Sequence, residues 1–216
     1  MPSLKTRFLQ LFVVALLTAI AIHWTISAGQ TTPDSVAATV PLLKQLETYD
    51  ITTDSSGNVV SLTLRQEFSN DQNLMIVNGF ASLQRLVLMP VKSNRLTEQG
   101  IASLGGLTNL VALQLNCGAT LPDGVFQGVC NLRQLQYLGL TAACPPLAEL
   151  NSITNLGNLV ELRVIECPNF ADHQLAGVTN LTKLRSLVLY GTNLSKGATN
   201  ILHTMTSLTN VDVRVR

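Results

Sequence analysis

The sequence is short of charge. Only 12% of its 216 residues are Asp, Glu, Lys or Arg, and 14 Lys plus Arg stand against 13 Asp plus Glu. It therefore lacks the basic excess with which nucleic-acid binders neutralise phosphates, and a phosphate-backbone partner is not expected. Its four cysteines, Cys117, Cys130, Cys144 and Cys167, contain no C-x-x-C pair, which argues against a metal site. A phosphate-cradling glycine loop is missing too, because Gly105-Gly106 leads only into the Leu107-Thr108-Asn109-Leu110 approach to a strand. No cofactor is indicated. Histidines number three, at 23, 173 and 203, and no Ser, Asp and His arrangement follows from their spacing, so no catalytic residue is assigned and the reading is non-enzymatic. Charge runs and low-complexity tracts are absent.

What the chain does have is one pattern, leucine-x-x-leucine-x-leucine, in seven copies beginning at Val59, Leu83, Leu110, Leu135, Leu159, Leu184 and Leu208. Successive starts differ by 24, 27, 25, 24, 25 and 24 residues, inside the roughly 20–29 expected of leucine-rich repeats. Each copy predicts one short strand, on which alternate side chains point to opposite faces. Positions four and six, from Leu62/Leu64 through Leu138/Leu140 to Val211/Val213, are the expected core. Between the strands, 97–101, 121–129, 171–175 and 195–205 carry short helical or turn patterns. Strand plus helix per repeat predicts an α/β leucine-rich repeat solenoid, a horseshoe with about seven parallel strands on its concave face and the helical segments on its convex side.

The region from about Asp54 onward resembles the extracellular leucine-rich repeat proteins, especially the short-repeat bacterial kind. Its units are similar to the cysteine-containing class, whose strand is followed by Cys or Thr and a T-D-x-G-L-like turn. Leu96-Thr97-Glu98-Gln99-Gly100-Ile101 and the stretch from Cys167 to Leu175 carry that wording, and Tyr190-Gly191-Thr192-Asn193-Leu194 matches in part. Leu121-Pro122-Asp123-Gly124-Val125-Phe126 looks instead like the turn of the receptor-type class. At position nine the middle copies carry Val91, Gly118, Ala143, Cys167 and Thr192, so the usual asparagine ladder is not continuous. The resemblance implies recognition of proteins, peptides, glycans or surface structures. A fold alone does not choose among them.

Lys5 and Arg7, an apolar run from Leu11 to Ile22, and small residues at Ser27 and Ala28 have the layout of a secretory signal peptide. The expected organisation is a signal peptide over 1–28, a linker over 29–35, an N-terminal cap over 36–58 and the repeat domain over 59–216. Export places the protein outside the cytoplasm, secreted, periplasmic or at the cell surface; a membrane enters only if the N-terminal segment stays uncleaved. Removing Lys5 and Arg7 leaves 12 basic against 13 acidic residues. Within the cap, Val36, Val40, Leu43 and Leu46 recur at helical spacing, and Asp54 to Asn58 predicts a turn into the first strand.

Two sets of residues are candidates for function or covalent linkage. Positions three, five and seven point away from the core, and among them Arg85, Val87, Met89, Tyr137, Glu161, Arg163, Ile165, Val188 and Tyr190 form the expected partner-binding surface, a protein or peptide being the ligand of choice and a glycan the second class left open. Strand propensity alone would also put Val, Ile and Tyr there. Cys117 and Cys144, at positions eight and ten of adjacent copies, are the first candidates for a disulfide. Cys144 with Cys167 competes with that pair, and four buried free thiols are the third alternative. The rival functional class is a structural or adhesive component of the envelope or extracellular matrix. Arg214 and Arg216 alternate with valines at the chain end, where they would protect an edge strand or, alternatively, make a dimer or partner contact.

Overall fold

A computed structural model describes residues 50–65, 68–90 and 96–214. The expected signal peptide, linker and the helical part of the cap lie outside the described residues. Eight strands form one sheet in sequence order: β1 (Asp50–Thr53), β2 (Val59–Arg65), β3 (Arg85–Met89), β4 (Ala112–Thr120), β5 (Tyr137–Cys144), β6 (Glu161–Ile165), β7 (Ser186–Tyr190) and β8 (Asn210–Val213). β2 to β8 run parallel, one per leucine pattern.

β1 is an addition to the seven expected strands. It pairs antiparallel with β2 across the Asp54–Asn58 turn, where Asp54 accepts hydrogen bonds from the Ser56 and Asn58 amides at 2.9 Å each. A carboxylate that folds back onto amides two and four residues on closes the turn without help from the rest of the chain. β1 thereby covers the first edge of the parallel array, which would otherwise present a row of unpaired backbone groups.

Within the leucine pattern the register follows the repeat without a slip. Leu62, Leu86, Leu113, Leu138, Leu162, Leu187 and Val211 align across the sheet, as do Arg85, Ala112, Tyr137, Glu161, Ser186 and Asn210 one residue earlier. The reason is the period of two along a strand: a shift by one would expose every leucine at once. Leu62, Leu86, Leu113, Leu138, Leu162 and Leu187 are fully buried, and each contributes about 1.5–3 kcal/mol by leaving water. Val211 departs from this row. It is 48% exposed, because β8 has a paired neighbour on one side only, β7.

The convex side carries the helices Asp71–Val77, Glu98–Ala102, Val125–Cys130, Asp172–Val178 and Ala198–His203. Between β5 and β6 a 3-10 segment, Leu147–Asn155, takes their place. Pro145 and Pro146 precede it; neither has an N–H to donate, and each drives the residue before it out of helical conformation.

Polar side chains tie coil to coil where the backbone leaves groups unpaired. Just before β4, β5 and β6 an amide side chain reaches a carbonyl of the preceding coil: Asn109 to Ala81 at 2.9 Å, Gln134 to Leu107 at 3.1 Å and Asn158 to Arg133 at 2.9 Å. On the convex side carboxylates play the same part. Asp71 accepts from the amide and hydroxyl of Thr97 at 2.9 and 2.6 Å, Glu149 from the amides of Gly124 and Gln127 at 2.6 and 3.1 Å, and Asp172 from the amide and hydroxyl of Ser195 at 2.9 and 2.5 Å. Such charge-assisted bonds at helix starts satisfy amides that have no partner within the helix.

Candidate functional site

The strands direct positions three, five and seven away from the leucine core, and no described element packs over them. Arg85, Met89 and Arg163 are exposed, and Val87, Tyr137, Glu161, Ile165 and Tyr190 are partly so. Val188 corrects the expectation for that position: it lies on the same face but is only 8% exposed. Two longer side chains flank it, Arg163 in its row and Tyr190 on its own strand.

The centre of the face is a hollow of about 420 Å³, lined by residues of β3 to β6. Its floor is Gly139, which stands in register between Gln114 on β4 and Arg163 on β6. The missing side chain leaves room there for Tyr137. A Cβ at 139 would lie 2.8 Å from the Tyr137 hydroxyl and 3.2 Å from Gln114 Cγ, so Tyr137 reclines along its own strand over the glycine.

Electrostatics gather around that ring. Arg163 Nε donates to Glu161 Oε1 at 2.5 Å, an ion pair two residues apart on one strand face. The Arg163 guanidinium carbon lies 6.0 Å from the Tyr137 ring centroid, at the outer reach of a cation–π contact. Hydrogen bonding to Glu161 raises the Arg163 pKa further above its ordinary value. The Tyr137 phenol is raised by burial above all, with Glu161 adding to the shift while Arg163 and Arg85 oppose it. All three charged residues thus act on one hydroxyl. Because only Nε of Arg163 is engaged, both its Nη groups have no hydrogen-bond partner among the described residues.

Two contributors escaped the sequence reading. Gly139 carried no chemistry of its own, and only its register opposite Gln114 and Arg163 reveals the hollow. Arg214 was read as an edge-protecting residue or a dimer or partner contact, without its place beside Tyr190: its guanidinium stacks 4.6 Å from that ring centroid and extends the concave face to β8. An arginine one residue beyond a core valine, opposite a tyrosine at position seven of the preceding copy, was the signal available.

The cysteines fall differently from the repeat-position argument. All four are buried free thiols. The register of β4 and β5 is irregular between Asn116 and Ala119, and Cys144 stands opposite Thr120, so Cys117 is not its cross-strand neighbour. Cys144 instead donates to the Glu166 carbonyl at 3.6 Å and has the Cys167 thiol as a neighbour. The cause is a left-handed residue at position eight of consecutive copies, Ala142 (φ 47°), Glu166 (φ 57°) and Gly191 (φ 61°). Each swings the following residue, Ala143, Cys167 or Thr192, into the core.

Both histidines of the repeat domain are exposed on the convex side, His173 in the helix Asp172–Val178 and His203 at the end of Ala198–His203. Ser195 donates to Asp172, not to a histidine. Among the described residues no group of three or more His, Cys, Asp or Glu converges as a metal site, and no helix is long and apolar enough to cross a membrane.

No family model matches the chain, and no curated protein sequence matches it. Solved structures do. An internalin (inlF) from Listeria monocytogenes is 16% identical with a TM-score of 0.53, over 76% of this chain and 52% of its own. An internalin C2 from the same organism gives 22% and 0.46, over 66% of this chain and 56% of its own. A leucine-rich repeat protein of Leptospira interrogans gives 20% and 0.44, over 64% of this chain and 33% of its own. The chain therefore spans about half the length of the first of these or less of the third. At such identities the likeness, carried by the first, shows the fold: an α/β leucine-rich repeat solenoid.

Proposed function

We propose that the protein is an exported, non-catalytic leucine-rich repeat module that recognises a protein or peptide through the concave sheet. The observation behind this reading is the uncovered row of Arg85, Val87, Met89, Tyr137, Glu161, Arg163, Ile165 and Tyr190, which holds tyrosine and arginine among apolar side chains on rigid, hydrogen-bonded strands. Tyrosine and arginine are the types whose truncation at interfaces costs about 2 kcal/mol or more, and rigid strands reduce the ordering cost of binding. A repeat scaffold supplies the extended surface. Export rests on the charged, then apolar, then small-residue start of the chain.

The test is affinity capture with the mature chain beside a Tyr137→Ala/Arg163→Ala variant of equal fold. A soluble protein retained by the first and lost by the second supports the reading. Retention of wall or matrix material by both, with no soluble partner, favours a structural or adhesive role.

A further inference from the structure

The hollow over Gly139 holds two guanidiniums, Arg85 and Arg163, against one carboxylate, Glu161. Arg85 has no ion pair among the described residues, and both Nη groups of Arg163 are likewise open while its Nε is held by Glu161. The Tyr137 hydroxyl over the glycine floor and the Thr141 hydroxyl at its upper rim add two more donors. The one carboxylate present, Glu161, has its Oε1 engaged by Arg163, and Gln114 donates its amide nitrogen to Asn116 at 3.1 Å, which leaves its carbonyl oxygen as a neutral acceptor.

The imbalance extends beyond the hollow. On β3 to β8 and the residue after β8, positions three, five and seven carry Arg85, Arg163 and Arg214 against Glu161 and Asp212. The face is therefore positive although the whole chain is nearly neutral. Every base on it is arginine, whose planar fork matches a carboxylate in two parallel bonds.

We propose that the hollow receives the side-chain carboxylate of an aspartate or glutamate from a bound peptide segment, held by Arg85 and the Nη groups of Arg163 with the Tyr137 hydroxyl as a third donor. The proposal rests on the reading of the concave sheet as the binding surface and adds the chemistry of the ligand at its centre. Glu161 serves as a positioning residue: by fixing Nε it turns the outer edge of the Arg163 guanidinium toward the hollow. Gly139 lets Tyr137 lie across the floor, since a side chain there would collide with its hydroxyl.

The test uses the full mature chain and a phage-displayed library of random linear dodecapeptides. Enriched peptides are synthesised with each Asp or Glu in turn replaced by its amide, and affinities are measured on the unaltered protein, Arg85→Gln, Gly139→Ala and Tyr190→Ala. Enriched peptides should carry an acidic residue whose replacement weakens binding about tenfold or more on the unaltered protein and less than about twofold on Arg85→Gln. Arg85 is exposed, so that variant keeps the fold even if Gly139→Ala does not. Peptides that need Tyr190 but lose nothing on amide replacement overturn the carboxylate site and leave the concave surface standing. Peptides indifferent to all three substitutions overturn both. Enrichment of no peptide overturns the carboxylate site, and binding of single-stranded poly(U) that depends on Arg85 would then assign the hollow to phosphate.

Discussion

Leu138 lies directly beneath the hollow, between Tyr137 and Gly139, and its replacement measures how firmly the core holds the site. The side chain is fully buried and is flanked in register by Leu113 and Leu162. Leu138→Ala removes three carbons, worth about 2.4 kcal/mol at about 0.8 kcal/mol per buried carbon. Coils packed on both sides cannot close the gap, so the residual cavity brings the loss to between about 3 and 5 kcal/mol. The control is Val211→Ala at the same repeat position. There two carbons are removed from a side chain 48% exposed, which halves a loss of about 1.6 to about 0.8 kcal/mol with no cavity left behind. Urea unfolding followed by far-ultraviolet circular dichroism, with unchanged m-values, gives both numbers. Equal losses at the two sites, or less than about 1 kcal/mol at Leu138, would refute the picture of one core shared by successive coils.

Other consequences are as direct. Burial pushes the Cys117 thiol up to about 12 and raises Cys130 and Cys167 as well, so at pH 8 iodoacetamide should label these three only after denaturation, as read by mass spectrometry; native labelling within minutes contradicts their burial. When the protein is oxidised, non-reducing peptide maps should show Cys144 joined to Cys167, whereas a Cys117 to Cys144 link would mean that the irregularity after Asn116 is misplaced. Hydrogen bonds from Ser195 hold the Asp172 pKa below the ordinary aspartate range. Its contribution is therefore complete above the unfolded value of about 3.9 and is lost as pH falls through the lower folded value; unfolding curves between pH 2 and 7 should show a shallower acid limb for Asp172→Asn, and identical limbs would deny the linkage. Gly191 has φ 61°, and a Cβ there would meet the Glu166 backbone at 3.1 Å, so Gly191→Ala should lower stability by about 1–3 kcal/mol in the same urea assay; an unchanged midpoint would show that this turn relaxes freely.

The leucine pattern made the strands and their register legible, because a period-two element with one buried face permits a single alignment. Val59–Arg65 emerges with the bounds read from the repeat, and the outward-facing set follows from the same alternation. Val188 could not be read as covered, since its burial depends on the sizes of side chains one coil away. Nor was the cysteine geometry legible: positive φ at Ala142 and Glu166 is unusual for residues with a Cβ, and no glycine marked those turns as one did at Gly191. β1 was hidden for another reason. Four residues, Asp50 to Thr53, carry too short a pattern to distinguish a strand from the rest of a cap. The hollow needed three strands to be superposed before an unremarkable glycine became its floor.

Concave recognition is tested most directly by a photo-crosslinker introduced at single positions, benzoylphenylalanine in place of Val87 or Ile165 on the sheet and of His173 or Lys196 on the convex side. The four proteins, checked for equal fold, are irradiated in the medium and envelope extract of the cells that make them. A discrete crosslinked species from positions 87 and 165, absent from 173 and 196, is the expected result. The same species from 173 or 196 alone would place recognition on the convex side and contradict the assignment.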